Sequence, residues 1–209
     1  MLIRACYTIF VGIAMAAMSV RARRSVLIAG TAVFSALVAA VEYLSLVFPI
    51  LRISFPPLTY LKFDMAEIPA FLSFLVFGLP VGVTTSLIVP LTIIARGTSN
   101  PLGAVIKGLA VLSTVLGYAS FARRSKLISG LLGLASRVLA MAVVNGLLLP
   151  FLFPQQYYAE LGVQLMSALF NAVHSVLTIG GAYIVYMKLP RLMRGRFRNV
   201  HVAQSQSSQ

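Results

Sequence analysis

A chain of 209 residues with 59% apolar side chains, 10% charged residues and a mean hydropathy of +0.95 lies outside the range of soluble globular domains. It is long enough for about six spans of roughly 20 residues joined by short loops, with no sizeable soluble domain. Its formal charge of +13 does not point to nucleic acid, because the basic residues gather in clusters between apolar runs, as the positive-inside rule requires of membrane topology.

Residues 1–24 read as a hydrophobic and basic extension. One Arg near the start is followed by about sixteen mostly apolar residues and then by Arg21, Arg23 and Arg24, a cluster that stops a segment better than it marks a cleavage site. The segment is expected as an accessory helix. The first span of the domain covering residues 25–190 runs from Val26 to Phe48. Ala32, Ala36 and Ala40 recur on it at four-residue spacing, which puts small residues on one face and lets another helix approach closely; packing within the chain is the alternative reading. Glu42 lies further along the same span and must face protein or water. Pro49 to Phe63, with Pro56-Pro57, reads as a loop too polar and broken to span.

The second span opens within Leu61 to Gly82, LKFDMAEIPAFLSFLVFGLPVG, which holds two of the four acidic residues, Asp64 and Glu67, at the mouth of an apolar helix. It closes on a Gly78-Leu79-Pro80 turn. A third span covers Val81 to Ile94, kinked by Pro90, and Arg96 to Gly103 is turn chemistry. The fourth span runs from Ala104 to Ala119, the fifth from Leu127 to Phe151, and the sixth from Leu161 to Met187. Residues 191–209 form a basic, then polar, disordered tail. Segments 21–24, 123–126 and 188–198 carry 11 of the 17 basic residues. All three fall on one side of a six-span core, so both of its ends are expected in the cytoplasm and Asp64 and Glu67 on the outer side. The chain lacks Trp, so an interfacial belt relies on Tyr such as Tyr157 and Tyr158. The expected fold is therefore an all-α integral membrane protein of the cell membrane, a six-transmembrane-helix bundle with an extra N-terminal hydrophobic helix.

Polar residues inside such a bundle need partners. Gln164, Ser167, Asn171, His174 and Thr178 recur at steps of three or four and form one polar stripe on the sixth span. The stripe faces either a ligand or neighbouring helices as hydrogen-bonding glue. Asn145 is a second buried amide, and two Asn side chains can read a ring edge that alternates C=O and N–H. Arg137 is costly in the fifth span unless paired, with Glu42 or backbone carbonyls as the expected partner. Lys107 either snorkels to the outer rim or points at a cavity. Asp64 and Glu67 read equally as the rim of a site or as a capping box, Asp-x-x-Glu.

Several chemistries are excluded. There is no GxxxxGK[ST], GxSxG or HExxH. The lone Cys6 gives neither a disulfide framework nor a thiolate metal site, and with only two histidines, His201 being in the tail, no metal-binding cluster forms. A binding or transport protein is favoured over an enzyme. A standalone carrier or channel remains an alternative. An intramembrane enzyme built on His174 and a nearby Ser would lack a second acid or base.

Three stretches together resemble the substrate-binding S components of energy-coupling factor (ECF) vitamin transporters, over about Val26 to Arg191. Ala32, Ala36 and Ala40 look like the first-helix face that docks on the transmembrane coupling subunit. LKFDMAEIPAFLSFLVFGLPVG is similar to the FD-x-x-[DE]-[IL]-P entry and [FY]-G-P-x-x-G turn of the riboflavin-specific members. VNGLLLPF and LFNAVHSVL look like their fifth- and sixth-helix stretches. The resemblance implies that Asn145 and Asn171 contact the flavin's polar edge and that His174 stands where those members carry a Lys; the stripe residues Gln164, Ser167 and Thr178, with Asp64, Glu67 and Lys107, are expected around the same site. A Lys-Asn pair of the third helix is absent, with Val89-Pro90 nearby instead. The lack of Trp separates the chain from the thiamine-specific members. The implied protein needs no cofactor or metal and is not an enzyme. It captures riboflavin, or another vitamin or small heterocycle, from outside, and docks on the coupling subunit. Two ATPase subunits supplied in trans drive its reorientation in the bilayer.

Overall fold

The computed structural model describes residues 2–97, 100–122, 125–152 and 161–189, with side chains described over 24–97, 100–122, 125–147 and 162–189. The 154–160 loop with Tyr157 and Tyr158, Arg123 and Arg124, and the tail with His201 lie outside the described residues. So do the side chains of the N-terminal segment.

Helix α1 spans Leu2–Val47. The expected extension and first span are thus one helix in the backbone. No Pro or Gly lies between Val20 and Ala29 to break it, and the arginines there are good helix formers. A short 3-10 turn, Pro49–Leu51, leads into β1 (Arg52–Phe55) and β2 (Leu58–Asp64). These pair antiparallel, with Arg52 opposite Asp64, Ile53 opposite Phe63 and Ser54 opposite Lys62. The segment expected as a loop is therefore a β-hairpin, and the fold is not purely helical. Its physical reason is a period of two: Ile53, Phe55, Leu61 and Phe63 alternate with Arg52, Ser54, Lys62 and Asp64. Pro56-Pro57 supplies the turn, where no ladder N–H is needed. The apolar face stacks on Phe170 of the last helix, with ring centroids 5.9 Å apart for Phe55 and Phe63 and 4.7 Å for Phe63 and Phe170.

Helices α2 (Glu67–Phe77) and α3 (Leu79–Ala95) follow. With 11 and 17 residues they reach about 16 and 25 Å at roughly 1.5 Å per residue, short of a hydrocarbon core about 30 Å thick. Among the described residues, four helices are long and apolar enough to cross a membrane alone, within Arg24–Val47, Pro101–Ala119, Lys126–Leu147 and Gly162–Lys188. Gly78 breaks the chain between α2 and α3 with φ 88°, which a Cβ would resist. A Cβ on Gly82 would sit 2.5 Å from Phe74 Cβ, so the two short helices approach closely. Helix α4 (Pro101–Ala119) starts at Asn100, whose side chain accepts the Leu102 N–H at 3.0 Å, with Pro101 in the first turn where its missing N–H costs nothing. Helices α5 (Lys126–Leu152) and α6 (Leu161–Lys188) complete the bundle.

Two apolar clusters hold the helices together. Phe34, Phe71, Phe74, Val115, Tyr118 and Ala182 form one, and Val38, Ala70, Val89, Ile93, Ala104 and Val111 the other. The opposite surfaces are apolar as well: Val33, Leu91, Leu131, Leu139, Leu165 and Ile184 are exposed, the pattern of a bundle solvated by lipid. The buried charged side chains, Glu42, Asp64, Glu67, Arg96 and Arg137, gather in the interior of one end. There the hairpin, the start of α2, the end of α3, the start of α4 and the facing halves of α5 and α6 enclose a cavity.

Candidate functional site

The cavity has a volume of about 530 Å³, in the range that holds a small organic ligand. Its apolar walls include Ile93, Leu102, Ile106, Met141 and Phe170. Seven of the nine residues expected at a site line it: Asp64, Glu67, Lys107, Asn145, Ser167, Asn171 and His174. Gln164 and Thr178 do not. Gln164 is half-buried nearer the helix start. Thr178 lies one turn deeper than His174 and donates its hydroxyl to Glu67 at 3.2 Å, from behind the cavity floor.

Two ion clusters build the polar floor. In the first, Arg137 Nη1 donates to Glu67 Oε2 at 2.5 Å and Nη2 to Oε1 at 3.1 Å, a bidentate pair. Both residues are buried, Glu67 at 0% and Arg137 at 2% exposure. Arg137 therefore pairs with Glu67, not with Glu42 or backbone carbonyls as expected. Its Nε donates to Asn171 Oδ1 at 3.2 Å, and Nη2 also reaches His174 Nδ1 at 3.1 Å. A guanidinium can only donate, so His174 Nδ1 accepts there. Nε2 lies 3.3 Å from both the backbone N–H and the carbonyl of Asp64 and 3.5 Å from Glu67 Oε2. Both ring nitrogens are thus engaged by protein.

In the second cluster, Lys107 Nζ lies 2.7 Å from Glu42 Oε1 and 2.5 Å from Asp64 Oδ2. Arg96 Nη1 donates to Glu42 Oε2 at 2.7 Å. Lys107 therefore points at the cavity instead of snorkelling away, and Arg96 is Glu42's second partner. Of the two, Arg96 was expected only in a turn. The three described carboxylates are each matched by a described cation: Glu42 with Arg96 and Lys107, Asp64 with Lys107, and Glu67 with Arg137. Removing Arg137 would leave the buried Glu67 charge uncompensated at a cost of about 3–5 kcal/mol.

The capping box does not form. Asp64 Oδ1 accepts the Ala66 N–H at 2.9 Å, closing a turn ahead of α2, while Glu67 is drawn to Arg137 and Thr178. The N-cap residue of α2 is Ala66, without a side-chain bond. Burial alone would push the Asp64 carboxyl up, but the Lys107 ammonium and the Ala66 N–H outweigh it and hold it below the usual carboxylate range.

What remains open towards the cavity is a small set of amide and ammonium positions. Asn145 Nδ2 donates to Ser167 Oγ at 2.7 Å, leaving its carbonyl and one N–H without a partner among the described residues. Asn171 Nδ2 donates to the Ser167 carbonyl at 2.9 Å and its Oδ1 is taken by Arg137, leaving one N–H. Lys107 uses two of its three N–H groups. The site thus offers one amide acceptor and several donors within apolar walls. Among the described residues no group of three or more His, Cys, Asp or Glu could hold a metal.

No protein-family model and no curated protein matches the chain. Its fold is similar to a solved structure of the S component of a bacterial ECF transporter. The likeness has a TM-score of 0.69 at 16% identity and covers 82% of this chain and 99% of the other. A likeness at that identity is one of fold: the chain has the fold of an ECF transporter S component, with the polar cavity at one end of the bundle.

Proposed function

We propose that the protein is the membrane-embedded substrate-binding subunit of an ECF-type importer, not an enzyme, and that it binds a flat heterocyclic vitamin of the riboflavin type. The observation that carries this reading is the cavity: apolar walls around a floor where Asn145 offers an acceptor and a donor and Asn171 a donor. Such a set matches a ring edge of alternating C=O and N–H groups, with Lys107 and Ser167 left for hydroxyl groups. His174 lines the cavity, but with both nitrogens engaged it serves to hold Arg137, and through it Asn171, in place. The charge that the riboflavin-specific members place on a Lys here comes from Arg137 and Lys107.

Partners follow from α1. Ala32, Ala36 and Ala40 are exposed along one face of the helix, where a helix of a transmembrane coupling subunit can approach closely. Two ATPase subunits in trans would supply the energy. The cavity would face outwards and the two chain ends of the six-helix core would lie in the cytoplasm, as the clustering of basic residues favours. Short α2 and α3 suit a body that tilts in the bilayer.

The test is a titration of the detergent-purified protein with riboflavin, followed by quenching of flavin fluorescence. Saturable quenching is expected. Asn145→Ala and Asn171→Ala should each weaken it about ten- to a hundredfold, the loss of one or two buried hydrogen bonds. A wild-type protein that leaves flavin fluorescence unchanged would remove riboflavin as the ligand; unaffected Asn variants would move the site elsewhere.

A further inference from the structure

We propose that Arg52 and Lys62, on the hairpin above the cavity, form a subsite for a phosphate monoester on the ligand's outer end. This deepens the proposed function and rests on its reading of the cavity as the ligand site. Both side chains line the cavity. In the ladder Arg52 lies opposite Asp64 and Ser54 opposite Lys62, so Arg52 and Lys62 are diagonal neighbours on the hairpin's polar face, about 7–8 Å apart in the backbone.

The carboxylate best placed to neutralise Arg52 is already committed. Asp64 is held by the Lys107 ammonium at 2.5 Å and by the Ala66 N–H at 2.9 Å. Arg52 Nε is buried and has no hydrogen-bond partner among the described residues. Lys62 is exposed and makes no ion pair among them either. Glu160, the fourth acidic residue of the chain, lies outside the described residues.

Charge balance sharpens the class of ligand. Among the described residues, the cavity lining and the ion pairs joined to it hold five cations, Arg52, Lys62, Arg96, Lys107 and Arg137, and three carboxylates, Glu42, Asp64 and Glu67. The floor is self-neutralised, so the surplus of two positive charges belongs to the hairpin. A phosphate monoester carries about −1.5 to −2 near neutral pH, close to that surplus, whereas a carboxylate would leave one charge over. Guanidinium geometry also favours a phosphate, which accepts two parallel N–H bonds, and an ammonium beside it adds a point charge. A ligand seated with its ring edge on Asn145 and Asn171 presents its opposite end towards the hairpin. On this reading the preferred flavin is phosphorylated on its side arm.

The experiment compares riboflavin with riboflavin 5′-phosphate on the purified full chain, by fluorescence quenching, in the wild type and in Lys62→Gln, Arg52→Gln and the double variant. The expected result is a preference of about tenfold or more for the phosphate ester in the wild type. The preference should weaken at high salt and vanish in the double variant, with riboflavin affinity unchanged. Lys62 is exposed, so its single variant folds regardless and should lose part of the preference. Equal affinities in the wild type, or a preference that survives the double substitution, would overturn the subsite while leaving the riboflavin reading intact. If neither flavin binds, the flavin reading fails, and inorganic phosphate decides the subsite. A rise of the thermal midpoint with phosphate in the wild type, absent from the double variant, supports it. The same response in both proteins refutes it.

Discussion

Removing Arg137 tests the central claim about the floor, because it separates what the residue does for folding from what it does for the ligand. Arg137→Met keeps most of the side chain's bulk and deletes its charge. Glu67, at 0% exposure, then stands as a buried carboxylate with only the Thr178 hydroxyl and the His174 ring nearby. An orphaned buried charge costs about 3–5 kcal/mol. At roughly 2–4 °C per kcal/mol for a chain of this size, the thermal midpoint should fall by about 6–20 °C. Glu67→Gln combined with Arg137→Met removes both charges together, so most of that loss should return and a coupling energy of about 3 kcal/mol should appear. The chain has no Trp, so unfolding is followed by circular dichroism or by loss of the monodisperse peak on size exclusion, not by Trp fluorescence. Ligand binding should behave differently. Arg137 Nε holds Asn171 Oδ1 at 3.2 Å, and the double variant restores no partner for it, so the stable double variant should still bind flavin at least about tenfold more weakly. A double variant as unstable as Arg137→Met alone would refute the charge-pair account. One that binds flavin like the wild type would show that Arg137 has no part in positioning the amide.

Three further outcomes follow from the same contacts. Gly82→Ala places a Cβ 2.5 Å from Phe74 Cβ and should cost about 1–3 kcal/mol of stability by overpacking the α2–α3 contact, seen as a lower thermal midpoint. Asp64 has its folded pKa depressed below the ordinary 3.8, so its contribution is present above about pH 4 and lost as pH falls through the lower folded value. Asp64→Asn should therefore be less stable than wild type at pH 7, by about 1–3 kcal/mol, and the gap should close in melts taken below pH 4; a gap that widens in acid would reverse the sign. Ala36→Leu should leave flavin binding unchanged and block co-purification with the proposed coupling subunit, since Ala36 is exposed on α1 and does not line the cavity.

The bounds of α3 to α6, within a few residues, and the polar face of α6 were legible because both are local. Pro, Gly and Arg punctuate the apolar runs, and a step of three or four residues aligned Ser167, Asn171 and His174 on the face that meets the cavity. A helical period names a face and says nothing of depth, so Gln164 and Thr178 were drawn in by the same rule and lie beyond the cavity's two edges. The hairpin was missed for a different reason. Pro56-Pro57 was read as a breaker, yet a double Pro is also a turn, and the alternation on either side of it is the signal of paired strands. The ion pairs resisted local reading altogether: Glu42 meets Arg96 and Lys107 across 54 and 65 residues of sequence, and Glu67 meets Arg137 across 70. What the sequence did contain were the members of that set, Glu42, Asp64, Glu67, Arg96, Lys107 and Arg137, and a buried charge without a partner is too costly to persist. Such a set must close on itself, and only the fold says in which order. Arg52 and Lys62, on the hairpin outside that closed set, are the charges it leaves to find a partner elsewhere.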